Sequence, residues 1–274
     1  MPFDDKFRGQ VALLVSILPL VAEEECFALK GGTAINLFVR DLPRLSVDID
    51  LTYLPVAGRA ESLAAIDAAL GRISERVRKV YPDLTVQASA PGGQGPANKL
   101  VIRTKHLVQI KVEVTPVLRG CVYEPELMAV SGTTEDEFGF AQMMVLSFAD
   151  LYAGKIMAAL DRQHPRDLFD VHLLLAHEGI TDELRTALVV YLVSHDHSPQ
   201  SLLAPQAKDI RSVFETDFAG MTEEPVALET LIATRDRLTQ EFVSGMPEAH
   251  KEFLLSFYRG EPAWDRLGCV FLRS

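Results

Sequence analysis

Cysteine is scarce and unpatterned. Cys26, Cys121 and Cys269 are widely spaced, odd in number and outside any CxxC or Cys/His ligand spacing, which excludes a disulfide framework or a zinc knuckle as the organising device. They read as reduced thiols of a cytoplasmic protein. Long apolar runs are missing as well. The longest near the start, Val11 to Ala22, reaches about half a membrane span and follows Asp4 and Asp5, so a buried helix is expected there rather than a signal peptide. Basic charge is the third shortage: 27 lysines and arginines face 38 acids, a formal net charge of -11 over 274 residues. A chain so charged draws a phosphate backbone weakly, and a nucleic-acid partner would need a local basic patch. His164, His172, His177, His195 and His197 are too dispersed for a His-Asp metal centre, and the last two are expected in a loop. There is no internal repeat and no long low-complexity tract.

What is present suits a folded chain, since 48% of the residues are hydrophobic and only 24% charged, enough for a sizeable core. Up to about Thr115 short alternating runs mix with helical ones, whereas after about Gln142 nearly everything has helical period. Two domains follow from that shift, a core over 1–140 and a helical domain over 141–274. The stretch Ala88 to Ala97, rich in glycine and proline, reads as a mobile loop between a helix-strand unit and the next strand.

Four elements place the chemistry. Cys26 to Lys30 is a short apolar run ending in Gly31 and Gly32, and Thr33 to Arg40 then takes helical spacing, so a strand, a glycine turn and a helix are expected. Leu45 to Thr52 alternates, with Leu45, Val47, Ile49 and Leu51 on one face and Ser46, Asp48, Asp50 and Thr52 on the other. Leu107 to Thr115 does the same, sending Gln109, Lys111, Glu113 and Thr115 to its polar face. Ser147 and Asp150 form a capping box for a helix reaching about Leu160, and Pro165 opens another through about Ala176.

Asp48 and Asp50, two residues apart on a strand, have side chains about 7 Å apart on one face, close enough to share a divalent ion. Such a pair alone also occurs on solvated faces. Glu113 on the polar face of another strand adds a third carboxylate, the set that two-metal phosphoryl transfer uses, and three neighbouring acids demand either a cation or wide separation. Gly31 and Gly32 would let a polyphosphate approach the backbone at the start of the Thr33 helix, with the Thr33 hydroxyl as a further donor, or they form only a tight turn. Lys155 sits on an otherwise apolar helix, where it either reaches solvent or neutralises a phosphate. Asp167 and Asp170 either cap the next helix or, with Arg166 and Lys155, build a charged wall.

In order and spacing, Leu29-Lys30-Gly31-Gly32-Thr33-Ala34, then Arg44-Leu45-Ser46-Val47-Asp48-Ile49-Asp50-Leu51, then Lys155 and Arg166-Asp167-Leu168-Phe169-Asp170 resemble the AbiEii/AbiGii toxin family of nucleotidyltransferases, over roughly Phe27 to Leu175. The resemblance implies an α+β fold: a polymerase-β-like nucleotidyltransferase core with a mixed sheet, followed by a mostly helical C-terminal domain that closes the nucleotide cleft. It implies that Asp48 and Asp50 hold magnesium or manganese with Glu113 as the third ligand. Asp48, Asp50, Lys155 and Asp167 would be catalytic, with Gly31, Gly32, Thr33, Ser46, Lys155, Arg166 and Asp170 binding the nucleoside triphosphate. Where the wider superfamily commonly has a Gly-Ser pair this chain has Gly31, Gly32 and Thr33. The implied reaction passes a nucleoside monophosphate to an acceptor hydroxyl, on RNA and in particular a tRNA end, with growth arrest as the outcome and a cognate antitoxin as possible partner. Basic residues near the expected cleft, Arg40, Arg44, Lys99, Arg103, Lys105 and Lys111, would meet an RNA end or form ordinary solvated surface. Transfer to a protein or small molecule suits the net acidity, and a non-catalytic nucleotide- or partner-binding module is the rival of another class.

Overall fold

The computed structural model describes residues 3–115, 118–195, 197 and 199–268, so Cys269 lies outside the described residues. The chain forms two compact units, Met1–Ser147 with Gly220–Pro225, and Phe148–Ala219 with Val226–Ser274.

The first unit is built on a seven-stranded mixed sheet. Its strands are β1 (Phe27–Lys30), β2 (Asp48–Tyr53), β3 (Thr85–Ser89), β4 (Lys99–Arg103), β5 (Gln109–Val114), β6 (Glu126–Ala129) and β7 (Gln142–Val145), in the order β3-β4-β5-β2-β1-β7-β6. β2 runs antiparallel to β1 and parallel to β5, and β7 parallel to β1. The alternation read from the sequence sets the two faces: Ile49, Leu51, Ile110, Val112 and Val114 are fully buried. Helices α1 (Asp5–Ala22) and α3 (Arg59–Val80) pack on this unit's sheet. α1 confirms the buried-helix reading of Val11 to Ala22, with Val11, Leu14, Ile17, Leu18 and Val21 inaccessible. α3 has Glu61 in its first turn and Arg78 and Lys79 in its last, each suited to the helix dipole there. The remaining helices of this unit are α2 (Gly31–Ala34), continued by a π-helical turn over Ile35–Val39, and α4 (Gly132–Phe138).

Several boundaries differ from the periodic reading. The strand expected from Leu45 begins only at Asp48, because the preceding residues pair elsewhere: Leu45 N donates to Met221 O at 2.8 Å and Arg44 bridges Thr222. The strand expected from Leu107 begins at Gln109, since Leu107 takes a left-handed φ of 63° in the turn after β4. β3 runs into the expected loop as far as Ser89. β7 falls after residue 140, where nearly everything was expected to be helical, and the first unit runs on to Ser147 and also takes in Gly220–Pro225. Four residues are too few to display a period of two against a helical background.

The second unit is helical: α5 (Phe148–Asp161), α6 (Pro165–His177), α7 (Asp182–Val193), α8 (Pro199–Leu203), α9 (Arg211–Asp217), α10 (Leu228–Ser244) and α11 (Glu248–Tyr258). α5 packs against α6 and α7, and α6 against α10, burying Ile156, Leu168, Leu174, Leu188, Leu231 and Leu238 completely. His195 and His197 lie in the loop after α7, as expected. Pro165 stands at the first position of α6, and the residue before it supplies the cap: His164 Nδ1 accepts from Arg166 N at 3.1 Å. An imidazole can accept there only when neutral.

Burial, with Arg166 adding to it, pulls the His164 pKa down to about 4. The unfolded side chain titrates near 6.5, so between those values the unfolded chain binds more protons, and stability present above pH 6.5 is lost as pH falls towards 4. His164→Asn keeps a neutral cap of conventional chemistry. Urea melts at pH 4.5 and 7.5 should show the wild type losing about 1–2 kcal/mol more than His164→Asn on acidification; equal losses would remove this cap from the account.

Candidate active site

Strand pairing assembles the first unit's charged face. Asp50 stands in register with Lys30 of β1 on one side and with Glu113 of β5 on the other, and Glu113 with Lys99 of β4. Register partners project to the same face of a sheet, so Lys30, Asp50, Glu113 and Lys99 form one row of alternating sign. Asp48, two residues before Asp50, shares that face and stands opposite Lys111. The pair of aspartates and Glu113 are half-buried at the surface of a sheet whose other face is sealed.

The sequence reading brought Asp48, Asp50 and Glu113 to one face, and the structure does the same. It missed Lys30, which closes an apolar strand and gains its meaning only from the antiparallel register with Asp50. Burial draws the Lys30 ammonium pKa below its usual value, while Asp50 and then Glu113 pull it back up. Lys99 Nζ lies 3.0 Å from Glu113 Oε2. Part of the positive charge that three neighbouring acids demand is thus supplied by the chain itself. Among the described residues no group of three or more His, Cys, Asp and Glu side chains is arranged to hold a metal ion. Two carboxylates on one strand face nevertheless fit magnesium, which keeps several waters and commonly takes one or two carboxylates plus substrate phosphates.

The glycine turn is fixed by close approach. Gly31 has a φ of 73°, and a Cβ there would come within 2.7 Å of Asp50 Oδ2. A Cβ on Gly32 would meet Arg44 Nη2 at 2.6 Å and Ser46 Oγ at 2.8 Å. The room left by the missing side chains is therefore taken by Asp50, Arg44 and Ser46. Thr33 is fully buried, and its hydroxyl donates to Asp48 O at 2.6 Å with Ser46 Oγ 3.1 Å away. That bond pins the first residue of β2 to the glycine turn, and directs the hydroxyl at the backbone rather than outward. No side chain caps the start of α2 at Lys30.

In the second unit, Lys155 neither reaches solvent nor stands alone. Its Nζ lies 2.9 Å from Asp167 Oδ1 and 3.0 Å from Asp170 Oδ2, with side-chain exposures of 6%, 1% and 0%. Arg162, which the sequence reading overlooked, makes a two-point contact with Asp167: Nε to Oδ2 at 2.6 Å and Nη2 to Oδ1 at 3.0 Å. It sits in the turn between α5 and α6, where no periodic signal marks it. Burial alone would raise the Asp167 pKa, but Lys155 and Arg162 hold the carboxyl far below the usual range. The carboxylates of Asp167 and Asp170 clasp the lysine. Arg166 is half-buried and near enough to His164 to depress its pKa. Asp150, expected in a capping box, is buried and accepts from the Tyr191 hydroxyl at 3.2 Å.

Three stability measurements check this geometry. Gly31→Ala should cost roughly 1–3 kcal/mol, from a left-handed backbone with a side chain and the clash with Asp50. Gly71→Ala, in the middle of α3 with nothing within 4 Å of the added methyl, should instead stabilise by about 0.5–1 kcal/mol. Lys155→Met, which removes the ammonium from between the buried carboxylates of Asp167 and Asp170, should lower stability by about 3–5 kcal/mol; an unchanged melting temperature would show that the clasp contributes nothing to the second unit.

Comparison with known proteins gives the family and the fold. A family model described as the nucleotidyl transferase AbiEii toxin of the type IV toxin-antitoxin system matches residues 12–268. No curated protein matches the chain. Among solved structures, MenT4, a nucleotidyltransferase toxin from Mycobacterium tuberculosis H37Rv, superposes with a TM-score of 0.69 at 17% identity, covering 98% of this chain and 94% of that one. Terminal uridylyl transferase 4 from Trypanosoma brucei with bound GTP gives a TM-score of 0.32 at 10% identity, covering 91% of this chain and 68% of that one. The first likeness establishes the α+β nucleotidyltransferase fold, with its mixed sheet and helical second part. No described helix is long and apolar enough to cross a membrane. Since the family model spans all but the ends of the sequence, the chain belongs to the AbiEii family of type IV toxin-antitoxin systems and is a nucleotidyltransferase.

Proposed function

We propose that this nucleotidyltransferase toxin moves a nucleoside monophosphate from a nucleoside triphosphate to a hydroxyl at the end of an RNA, a tRNA in particular, in a metal-dependent reaction that arrests growth. The observation that carries the proposal is the placement of Asp48 and Asp50 on one half-buried face, with Gly31 packed against the Asp50 carboxylate. Asp48 and Asp50 would hold magnesium or manganese, with Glu113 as a third carboxylate beside Asp50. The ion supplies charge compensation for the triphosphate and acidifies the acceptor hydroxyl.

The rest of the work falls to side chains that orient and neutralise. The acceptor oxygen forms a bond to the α-phosphorus, the bond from that phosphorus to the β-bridging oxygen breaks, and pyrophosphate leaves while the hydroxyl proton passes to solvent. Thr33 and Ser46 fix the start of β2, so the backbone that carries the two carboxylates is held in place. Amides at the uncapped start of α2 are suited to phosphate oxygens. Lys155 has three donors and spends two on Asp167 and Asp170, leaving one for a triphosphate oxygen; Arg166 is assigned to the same ligand. Asp167 is then a positioning residue acting through Lys155. A cognate antitoxin is the expected partner of such a toxin.

Purified protein, Mg²⁺ and each α-labelled triphosphate are mixed with total RNA and, separately, with protein extract. Label should enter RNA of tRNA size, vanish with EDTA, and fall roughly 10²–10³-fold in Asp48→Asn or Asp50→Asn, the scale of losing one electrostatic element of a transition state. Label in protein or in a small molecule would move the acceptor to the class that the net charge of -11 favours. Triphosphate binding with no transfer to any acceptor, and Asp48→Ala leaving growth arrest intact, would make the protein a binding module.

A further inference from the structure

The charged row does not end the polar face of the sheet. Thr85, Arg103 and Gln109 are in register on β3, β4 and β5, as are Gln87, Val101, Lys111 and Asp48, and Ser89, Lys99, Glu113 and Asp50. These residues all project to the face that carries the aspartates, while Val86, Leu100, Ile102, Ile110 and Val112 on the other face are buried. Thr85, Gln87, Ser89, Arg103 and Lys111 are exposed. A solvent-facing platform therefore extends from Asp48 to the free edge of the sheet at β3.

Structure sorts the six basic residues singled out above. Arg44 is buried, with Nη1 donating to Leu45 O at 2.8 Å. Lys99 is paired with Glu113, Lys105 with Asp83, and Arg103 is hydrogen-bonded to Gln109. Arg40 is half-buried and has interactions of its own. Lys111 is exposed, forms no ion pair or hydrogen bond with any described residue, and stands opposite Asp48 about 4.8 Å away along the sheet.

An acceptor hydroxyl must approach Asp48 and Asp50, and Glu113 adds a third negative charge beside them. A hydroxyl at the end of a polynucleotide brings its own anion, the phosphodiester that joins the last nucleotide to the chain. Lys30 and Lys99 offset Asp50 and Glu113 within the row, so the phosphodiester needs a cation of its own on the approach side, and among the described residues of that face the exposed lysine without an ion pair is Lys111. We propose that Lys111 is the acceptor-positioning residue. It holds the last phosphodiester of a single strand laid on the exposed face of β5, β4 and β3, which makes the acceptor a polynucleotide end rather than an uncharged hydroxyl. The inference rests on the transferase reading above.

Acceptor and triphosphate kinetics on a short single-stranded RNA with a free 3′ hydroxyl test it, using the full chain and Lys111→Ala, Lys111→Arg and Lys111→Glu. The KM for RNA should rise roughly tenfold in Lys111→Ala, the scale of one charged hydrogen bond, rise further in Lys111→Glu and return towards wild type in Lys111→Arg. The triphosphate KM and the melting temperature should not move, because the side chain is exposed and unpaired. The slope of log affinity for RNA against log salt should fall by about 0.7, one single-strand phosphate contact. If the wild type labels RNA and Lys111→Ala matches it in KM and salt slope, this inference is overturned while the transferase reading stands. Equal increases in both KM values would also overturn it. If the wild type labels no RNA at all, the acceptor assignment under the proposed function fails first and takes this one with it.

Discussion

Asp50 is held between an antiparallel neighbour, β1, and a parallel one, β5. β1 brings Lys30 to one side of it and β5 brings Glu113 to the other. Two carboxylates one strand apart repel by roughly 3 kcal/mol at an effective dielectric of 20, and a lysine at either end of the row returns energy of the same order. Lys30 has its pKa drawn down by burial and partly restored by these two acids, Asp50 first. Because the row balances internally, the sheet can carry Asp50 and Glu113 side by side. The glycine turn depends on the same residue: Asp50 Oδ2 occupies the space where a Gly31 side chain would be, so turn and carboxylate can be arranged only together.

What the sequence made legible follows from which interactions are local. Alternation over Leu45 to Thr52 and Leu107 to Thr115 found the faces, because the side-chain period of two survives whatever the strand pairs with. Pro165 found the start of α6, because its missing N–H and fixed φ act at that residue alone. Boundaries set by distant partners were hidden: nothing near Leu45 announces that its amide will bond to Met221. Lys30 and Arg162 were hidden for the same reason, since one takes its role from a neighbouring strand and the other from the helix that follows a turn. His164 looked like one more scattered histidine, and only a helix starting at Pro165 makes its ring a cap.

Thr33 shows how a residue matched by motif can hold its place for a different physical reason. In the motif it sits where a hydroxyl would meet phosphate, but its Oγ1 donates to Asp48 O at 2.6 Å from a fully buried position. The hydroxyl is then spent on the backbone that carries the first aspartate. Ser46, Arg44 and Gly32 crowd the same spot, so the loop between Val39 and β2 is fastened to the glycine turn by several short contacts.

The clasp around Lys155 raises a separate question, because buried ion pairs are poor stabilisers. Removing two carboxylates and an ammonium from water costs several kcal/mol per ion, and apolar packing of similar volume often does as well. α5 is apolar enough to have supplied it: Leu151, Ala153, Ile156 and Ala159 are all buried around this position. What an apolar residue would not supply is a fixed N–H direction. With Asp167 and Asp170 each taking one donor and Arg162 balancing the charge of Asp167, the ammonium is held from two sides and its remaining donor is aimed by the other two. A lysine on a free stem loses rotamer entropy on meeting a phosphate, whereas this one has lost it in folding. In the proposed reaction the desolvation cost is met once, in the native state, and the charge cluster preorganises a donor for the triphosphate.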